Sequence, residues 1–290
     1  MKPITISIRP AGRNQVTHKQ HDQQGYPGPI VLLTDFSFVD PFVGQMKGVI
    51  AGITPWVLVI DLCHEIPPQN LIIAALFLDN SRGFFPKETI FVAVVDPGVG
   101  TQRRPILLRI DEQYFIGPDN GILFPITVGK RPLEAVQIEH PQYRLPHVSD
   151  TFHGRDIFAP AAAHLARGAS MESFGRKVSA LVPLLLPKPR HEADLMTGEV
   201  IHIDRFGNAW TNITLGSLEE IGWWIQKATL RIRVKNYDLV GMSESYAPTG
   251  IEKPIAVINS FELVEIAWPG GSAAEKMGIA KGTQVVIHGL

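Results

Sequence analysis

The chain has 290 residues, of which 45% are hydrophobic and 19% charged, with a formal net charge of −1. Such a composition describes a globular chain with room for two domains or one large one, and it excludes a disordered one. A net charge near zero gives no global attraction to nucleic acid or to an anionic membrane surface, so neither is expected as a partner. The single cysteine, Cys63, excludes an intramolecular disulfide and a multi-cysteine zinc site, and fits a reducing, cytoplasmic setting.

Residues 1–27 are polar, without clear period and without the continuous apolar core of a secretory signal, and read as a flexible extension. No later run approaches the length of a membrane span. From Ile30 to about Arg167, short β-branched runs alternate with helical stretches, the pattern of an α/β layer architecture with a central, largely parallel sheet. The runs Ile30–Thr34, Trp56–Leu62, Ile90–Val95, Ile106–Ile110 and Tyr114–Gly117 predict strands. Apolar residues at three- and four-residue spacing predict helices over Asp40–Ala51, Asn70–Asn80 and Arg155–Ala166, with Asp40 and Asn70 as caps of the first two. In Pro118-Asp119-Asn120-Gly121 the Asn-Gly pair predicts a tight turn.

Leu181–Pro189 carries four leucines and three prolines and reads as an extended connector. Beyond about Ala193 the runs become short and β-rich: Gly198–Asp204, Ala209–Ile213, Ala228–Val234, Ile255–Ile258, Leu263–Ala267 and Gln284–His288. These predict a C-terminal all-β, barrel-like domain. The expected organisation is an extension at 1–27, an α/β catalytic domain at 28–180, a linker at 181–193 and a β-barrel substrate-binding domain at 194–290.

Chemistry is suggested where strands end in acids. The run Ile90–Val95 stops at Asp96-Pro97-Gly98-Val99-Gly100-Thr101-Gln102-Arg103, which delivers a carboxylate into a glycine-rich loop and returns a fixed cation beside it. Thr34-Asp35-Phe36 and Asp61-Leu62-Cys63-His64 also close apolar runs, so three strands aim polar groups at one edge. Any one of these loops alone is more often an ordinary turn, and their company is what carries the reading. His153, in Thr151-Phe152-His153-Gly154-Arg155-Asp156, falls at a helix N-terminus, where backbone amides disfavour imidazolium. A neutral histidine near an acid and an arginine is suited to orienting or deprotonating water. In Asp204-Arg205-Phe206-Gly207-Asn208 an acid, an aromatic face and an amide interrupt a strand, a set fit for an ammonium and an adenine ring. His64, His153 and His164 lack a His-x-x-x-His or comparable spacing, and no metal is expected.

These segments, together with Asp40, Met46–Ile50, Asp61–Asn70, Gly117–Gly121, Thr151–Pro160, Phe206–Ile213 and Glu265-Ile266-Ala267, closely resemble the S-adenosylmethionine hydroxide adenosyltransferases, also called S-adenosylmethionine hydrolases. The resemblance runs from about Ile30 to His288. It implies an α/β domain joined to a C-terminal β-barrel, a homotrimer with active sites between subunits, and conversion of S-adenosylmethionine and water to adenosine and L-methionine without a cofactor. By the same resemblance, Asp96, Arg103 and His153 hold and activate the water, and Asp35 binds the ribose hydroxyls. Asp40 and Asp204 match positions for the methionine ammonium, Phe206 and Asn208 match adenine-side positions, and Ser260 matches a contact to the methionine carboxylate. Halogenases of the same fold often carry arginine at the position after that serine, where this chain has Phe261. A halide-dependent halogenase and a non-catalytic adenosine or S-adenosylmethionine binder are the alternatives, and retention of both Arg103 and His153 favours the hydrolase.

Overall fold

A computed structural model describes residues 28–130, 133–246 and 252–289. The extension expected at 1–27 lies outside the described residues. Contacts divide the chain into two units, one running to Leu185 and the other spanning Leu186–Leu290.

In the first unit, β1 (Ile30–Thr34), β2 (Val59–Cys63), β3 (Ile90–Val94), β4 (Pro105–Ile110), β5 (Gln113–Pro118) and β6 (Glu134–Gln137) form one sheet in the order β2-β1-β3-β5-β4-β6. Strands β2, β1, β3 and β5 run parallel, while β4 is antiparallel to both neighbours. Both faces of β1 and β3 are covered, which explains why their sequences are continuous apolar runs instead of alternating ones. Ile30, Leu32, Ile90, Val92 and Val94 share a core with Met46 and Ile50 of α1 (Phe42–Ile53) and with the alanines of α3 (Ala159–Ala166). On the other face Phe91 stacks on Phe115, and α2 (Leu71–Arg82) buries Ile73, Ala74 and Leu78. Each such large side chain contributes about 1.5–3 kcal/mol by burial.

The strand predicted from Trp56 begins only at Val59, because Thr54 to Val57 form a turn and Trp56 and Leu58 face solvent. Asn70 caps α2 as expected, its side chain accepting the Ile73 N–H at 3.2 Å. Asp40 does not cap α1: Pro41 holds that position, and no side chain caps this helix end. The helix predicted from Arg155 opens as a π-helical turn, Gly154–Phe158, before α3. Pro160 accounts for this start, since it has no N–H to return to the Asp156 carbonyl, which accepts the Leu145 N–H instead.

The second unit contains β7 (Arg190–Glu192), β8 (Leu195–Ile203), β9 (Ala209–Thr214), α4 (Leu215–Glu220), β10 (Arg231–Val234), β11 (Tyr237–Val240), β12 (Met242–Ser243), β13 (Ile255–Ile258), β14 (Leu263–Ala267), α5 (Ala273–Met277) and β15 (Gln284–His288). The strand order is β11-β10-β15-β8-β9-β14-β13-β12, with β7 added beside β8. The first and last strands of that order are joined by Gly241 alone, so the sheet curls back on itself into the barrel-like form. Gly241 has φ +76° and lies so near Ala228 that a Cβ would come 2.7 Å from its carbonyl oxygen. Register shifts in β8 against β9 and in β14 against β9 add the local twist that such closure needs. The predicted strand Ala228–Val234 is shorter than expected because Lys227 and Thr229 are held in turns by the Trp224 and Gln226 carbonyls.

Candidate active site

Parallel pairing brings the acid-bearing strand ends together. Thr34 of β1 is level with Val94 of β3, so Asp35 and Asp96 emerge from adjacent strands at the same edge, as ligand sites of open α/β sheets do. Leu33 pairs with Cys63, which puts His64 at the same level on the other side of β1.

The Asp96 loop is tightly seated. Val99 and Thr101 turn back onto the Asp96 and Gly98 carbonyls, and Gly100, at φ +78°, packs against the Asp150 carbonyl where a Cβ would collide. Asn120 Nδ2 donates to the Val95 carbonyl at 2.8 Å, tying the Asn-Gly turn to the base of the loop. The positive φ falls on Gly121.

Arg103 is the hub of this loop. Its Nε donates to Asp96 Oδ1 at 2.9 Å, its Nη2 donates to Asp96 Oδ2, and the same Nη2 donates to His153 Nδ1 at 2.6 Å. Only 8% of the Arg103 side chain and 5% of that of Asp96 is exposed, so this is a charge pair largely removed from water. The guanidinium also lies 5.3 Å from the centre of the Phe158 ring. Because arginine donates and cannot accept, His153 Nδ1 presents a lone pair, and the neutral ring carries its proton on Nε2. Burial pushes the His153 pKa below its ordinary 6.5, and the Arg103 charge pushes in the same direction. Next to it, Arg155 pairs with the buried Asp156 at 2.6 Å and lies over the Phe152 ring. Phe36, Phe42 and Phe152 meet edge-to-face with centroids 5.2–5.8 Å apart, and Gly154 is the residue that leaves them room.

Asp35 Oδ2 accepts the Gln69 N–H at 2.8 Å, and Asp40 is exposed in the turn ahead of α1. In the second unit, Asp204 organises its own loop: Oδ1 accepts the N–H groups of Phe206 and Asn208, both at 2.9 Å, and Oδ2 accepts Asn208 Nδ2 at 3.2 Å. This arrangement leaves the Phe206 ring 78% exposed while Asn208 is buried. Trp210 is buried against Phe261 with centroids 4.6 Å apart. Ser260 is exposed at the turn between β13 and β14, next to Asn259, whose Oδ1 accepts the N–H groups of Phe261 and Leu263. Beneath that turn Glu265 is buried and receives Asn259 Nδ2 at 3.1 Å, and burial raises its pKa.

One further feature was not visible as a site element in the sequence. Arg104, neighbour to Arg103, pairs with Asp119, whose Oδ1 also accepts the Val182 N–H, fastening the outgoing chain to the loop. His64 is buried between Thr34 and Asp61; the Asp-x-x-His spacing at a strand end was the available signal. His164 is half-buried, edge-on to Tyr143. Among the described residues no group of three or more His, Cys, Asp or Glu side chains is placed to hold a metal ion. Nor is any helix among them long and apolar enough to cross a membrane.

Comparison with known proteins identifies the family. Residues 30–175 match the family described as the SAM hydroxide adenosyltransferase N-terminal domain, and residues 198–286 match its C-terminal domain. An (R)-S-adenosyl-L-methionine hydrolase of Thermus thermophilus is 36% identical over 264 residues, covering 89% of this chain and 98% of that protein. A hydrolase of the same name from Salinispora arenicola is 35% identical, with 89% and 97% covered. A fluorinase from an Actinoplanes species is more distant, at 27% identity with 89% and 96% covered. The solved structure of an uncharacterised conserved protein from Thermotoga maritima superimposes with a TM-score of 0.80 at 32% identity, covering 89% of this chain and 99% of that one. The chain therefore belongs to the SAM hydroxide adenosyltransferase family.

Proposed function

We propose that this protein hydrolyses S-adenosyl-L-methionine to adenosine and L-methionine. The observation that carries this reading is the partly buried Asp96–Arg103–His153 cluster, in which one guanidinium binds both the carboxylate and a neutral imidazole. The oxygen of water attacks C5′ of the ribose, the C5′–S bond breaks, and its electron pair neutralises the sulfonium. Methionine leaves as a neutral thioether, so the leaving group needs no acid, and one proton must depart from the attacking water. Catalysis then rests on placing and polarising that water in a site with little competing solvent, where orientation alone supplies several kcal/mol.

In this reading Arg103 stabilises a hydroxide-like nucleophile, Asp96 fixes the guanidinium, and His153 offers its Nε2 hydrogen to orient the attacking oxygen. Proton uptake by His153 at Nδ1 requires Arg103 to relinquish its 2.6 Å contact, so the proton leaves the water most simply to solvent. Asp35 accepts hydrogen bonds from the ribose hydroxyls. Asp40 and Asp204 hold the ammonium, Phe206 and Asn208 serve the adenine, and Ser260 serves the carboxylate. Residues 28–180 serve as the catalytic domain and 194–290 as the substrate-binding domain, while the linker expected at 181–193 gives its last residues to the second unit, where Arg190–Glu192 pairs with β8. The proposal includes a cytoplasmic homotrimer, with no cofactor and no divalent metal. Incubation of the purified protein with S-adenosyl-L-methionine, with and without chloride, tests it. Adenosine is the expected nucleoside in both, and 5′-chloro-5′-deoxyadenosine would identify a halogenase instead.

A further inference from the structure

Beside the Asp35 turn runs a chain of hydrogen bonds that the proposed chemistry does not use. Lys47 Nζ donates to Asp61 Oδ2 at 2.6 Å, Asp61 Oδ1 faces His64 Nε2 at 3.0 Å, and His64 Nδ1 faces Thr34 Oγ1 at 2.8 Å. Thr34 and His64 are buried. Residues 61 and 64 would point to opposite faces of a regular strand; the register shift of β2 against β1 at this point brings them to one side.

The direction of the chain follows from its members. Burial works to raise the Asp61 carboxyl, but Lys47 and His64 outweigh it and hold the group below the usual carboxylate range, so Asp61 is an acceptor. His64 Nε2 is then the donor to Asp61, and because Thr34 Oγ1 already accepts the Phe36 N–H, the tautomer that fits has Nδ1 accepting the Thr34 hydroxyl proton. With that proton committed, the Thr34 oxygen turns its lone pairs to the Phe36 N–H, at 3.2 Å. This last bond closes a turn around Asp35. The same two loops are tied at three more points: Gln69 N–H to Asp35 Oδ2 at 2.8 Å, Ser37 N–H to the His64 carbonyl at 2.7 Å, and the Ser37 hydroxyl to Glu65 at 2.8 Å.

We propose that His64 is a positioning residue for substrate binding: by fixing the direction of the Thr34 hydroxyl it closes the Thr34–Phe36 turn and holds the Asp35 carboxylate for the two ribose hydroxyls. This rests on the reading of Asp35 as the ribose ligand. Histidine suits the task because one ring must accept at Nδ1 while donating at Nε2. Asparagine, whose Oδ1 falls near the position of Nδ1, keeps only the first of these functions.

The test uses Thr34→Val, His64→Leu and His64→Asn, each assayed with S-adenosyl-L-methionine and with its analogue lacking both ribose hydroxyls. Thr34→Val and His64→Leu are expected to raise KM for the natural substrate about tenfold, the worth of one hydrogen bond, with kcat little changed. On the analogue they should match wild type, His64→Asn should recover most of the lost affinity, and the Thr34→Val/His64→Leu double variant should be no worse than either single one. An equal loss on both substrates, a fall in kcat at unchanged KM, or His64→Asn as impaired as His64→Leu overturns the proposal. If His64→Leu fails to fold, the near-isosteric Thr34→Val decides alone. Absence of adenosine from the wild-type protein would reject the function itself, whereas wild-type turnover with an undiscriminating loss rejects only the role of His64.

Discussion

Replacing Arg103 with lysine keeps the positive charge but removes the fork. The guanidinium makes two bonds to Asp96 and one to His153, and a single ammonium on a shorter stem keeps at most a bond to Asp96. A hydrogen bond to a charged group contributes about 1.5–3 kcal/mol, so loss of the His153 link alone lowers turnover by about 10–10². The looser Asp96 contact carries the total toward the ~10²–10³ typical of losing one preorganised donor. Initial rates of adenosine formation, read by chromatography over a substrate series, separate kcat from KM. The adenine, ribose and methionine contacts are assigned to other residues, so KM should stay within about threefold while kcat falls about 10²-fold. Turnover close to wild type, or a rise in KM larger than the fall in kcat, would refute the assignment of Arg103 to the nucleophile.

Asp96→Asn leaves the Arg103 charge buried without its counter-ion and should cost about 3–5 kcal/mol of stability in chemical denaturation as well as turnover. Burial depresses the pKa of His153, His164 and His202 below 6.5, so in that range the unfolded chain binds more protons than the folded one. Their contribution is complete above pH 6.5 and is lost as pH falls below it, so melting temperature should drop on that side, and His153→Asn should reduce the drop. Gly117→Ala places a Cβ 2.5 Å from the Ala93 carbonyl oxygen on the adjacent strand, where neither backbone can yield, and should cost about 1–3 kcal/mol. Gly48→Ala, in the interior of α1 with open space around it, should instead stabilise by about 0.5–1 kcal/mol, measured in the same melts. Exhaustive chelation should leave turnover unchanged, and recovery of a lost activity by one added metal would contradict the metal-free chemistry.

Strand ends were legible in the sequence because parallel strands covered on both faces are written as unbroken apolar runs, and the residue that breaks each run is the one delivered to the edge. Ile90–Val95 ending at Asp96 shows this directly. The meeting of Arg103 with Asp96 was readable from the loop, since the chain must return after its glycines. Its bond to His153, fifty residues away, depends on packing that no local pattern records. The π-helical start at Gly154 was missed because apolar spacing does not distinguish it from an α-helix, although Pro160 was there to signal it. Short strands such as β7 and β12 carry too few residues to show a period, and owe their conformation to the neighbours they pair with. Asp40 looked like a cap because acids before helices usually are, and Pro41 took the position instead.

Isotope labelling tests the central claim most directly. Turnover of S-adenosyl-L-methionine in water enriched in oxygen-18 should give adenosine heavier by one labelled oxygen at the 5′ position, with methionine unlabelled, because the nucleophile is water and the bond cleaved is C5′–S. Adenosine without label, a 5′-halogenated nucleoside, or no nucleoside at all would contradict attack by water at that carbon.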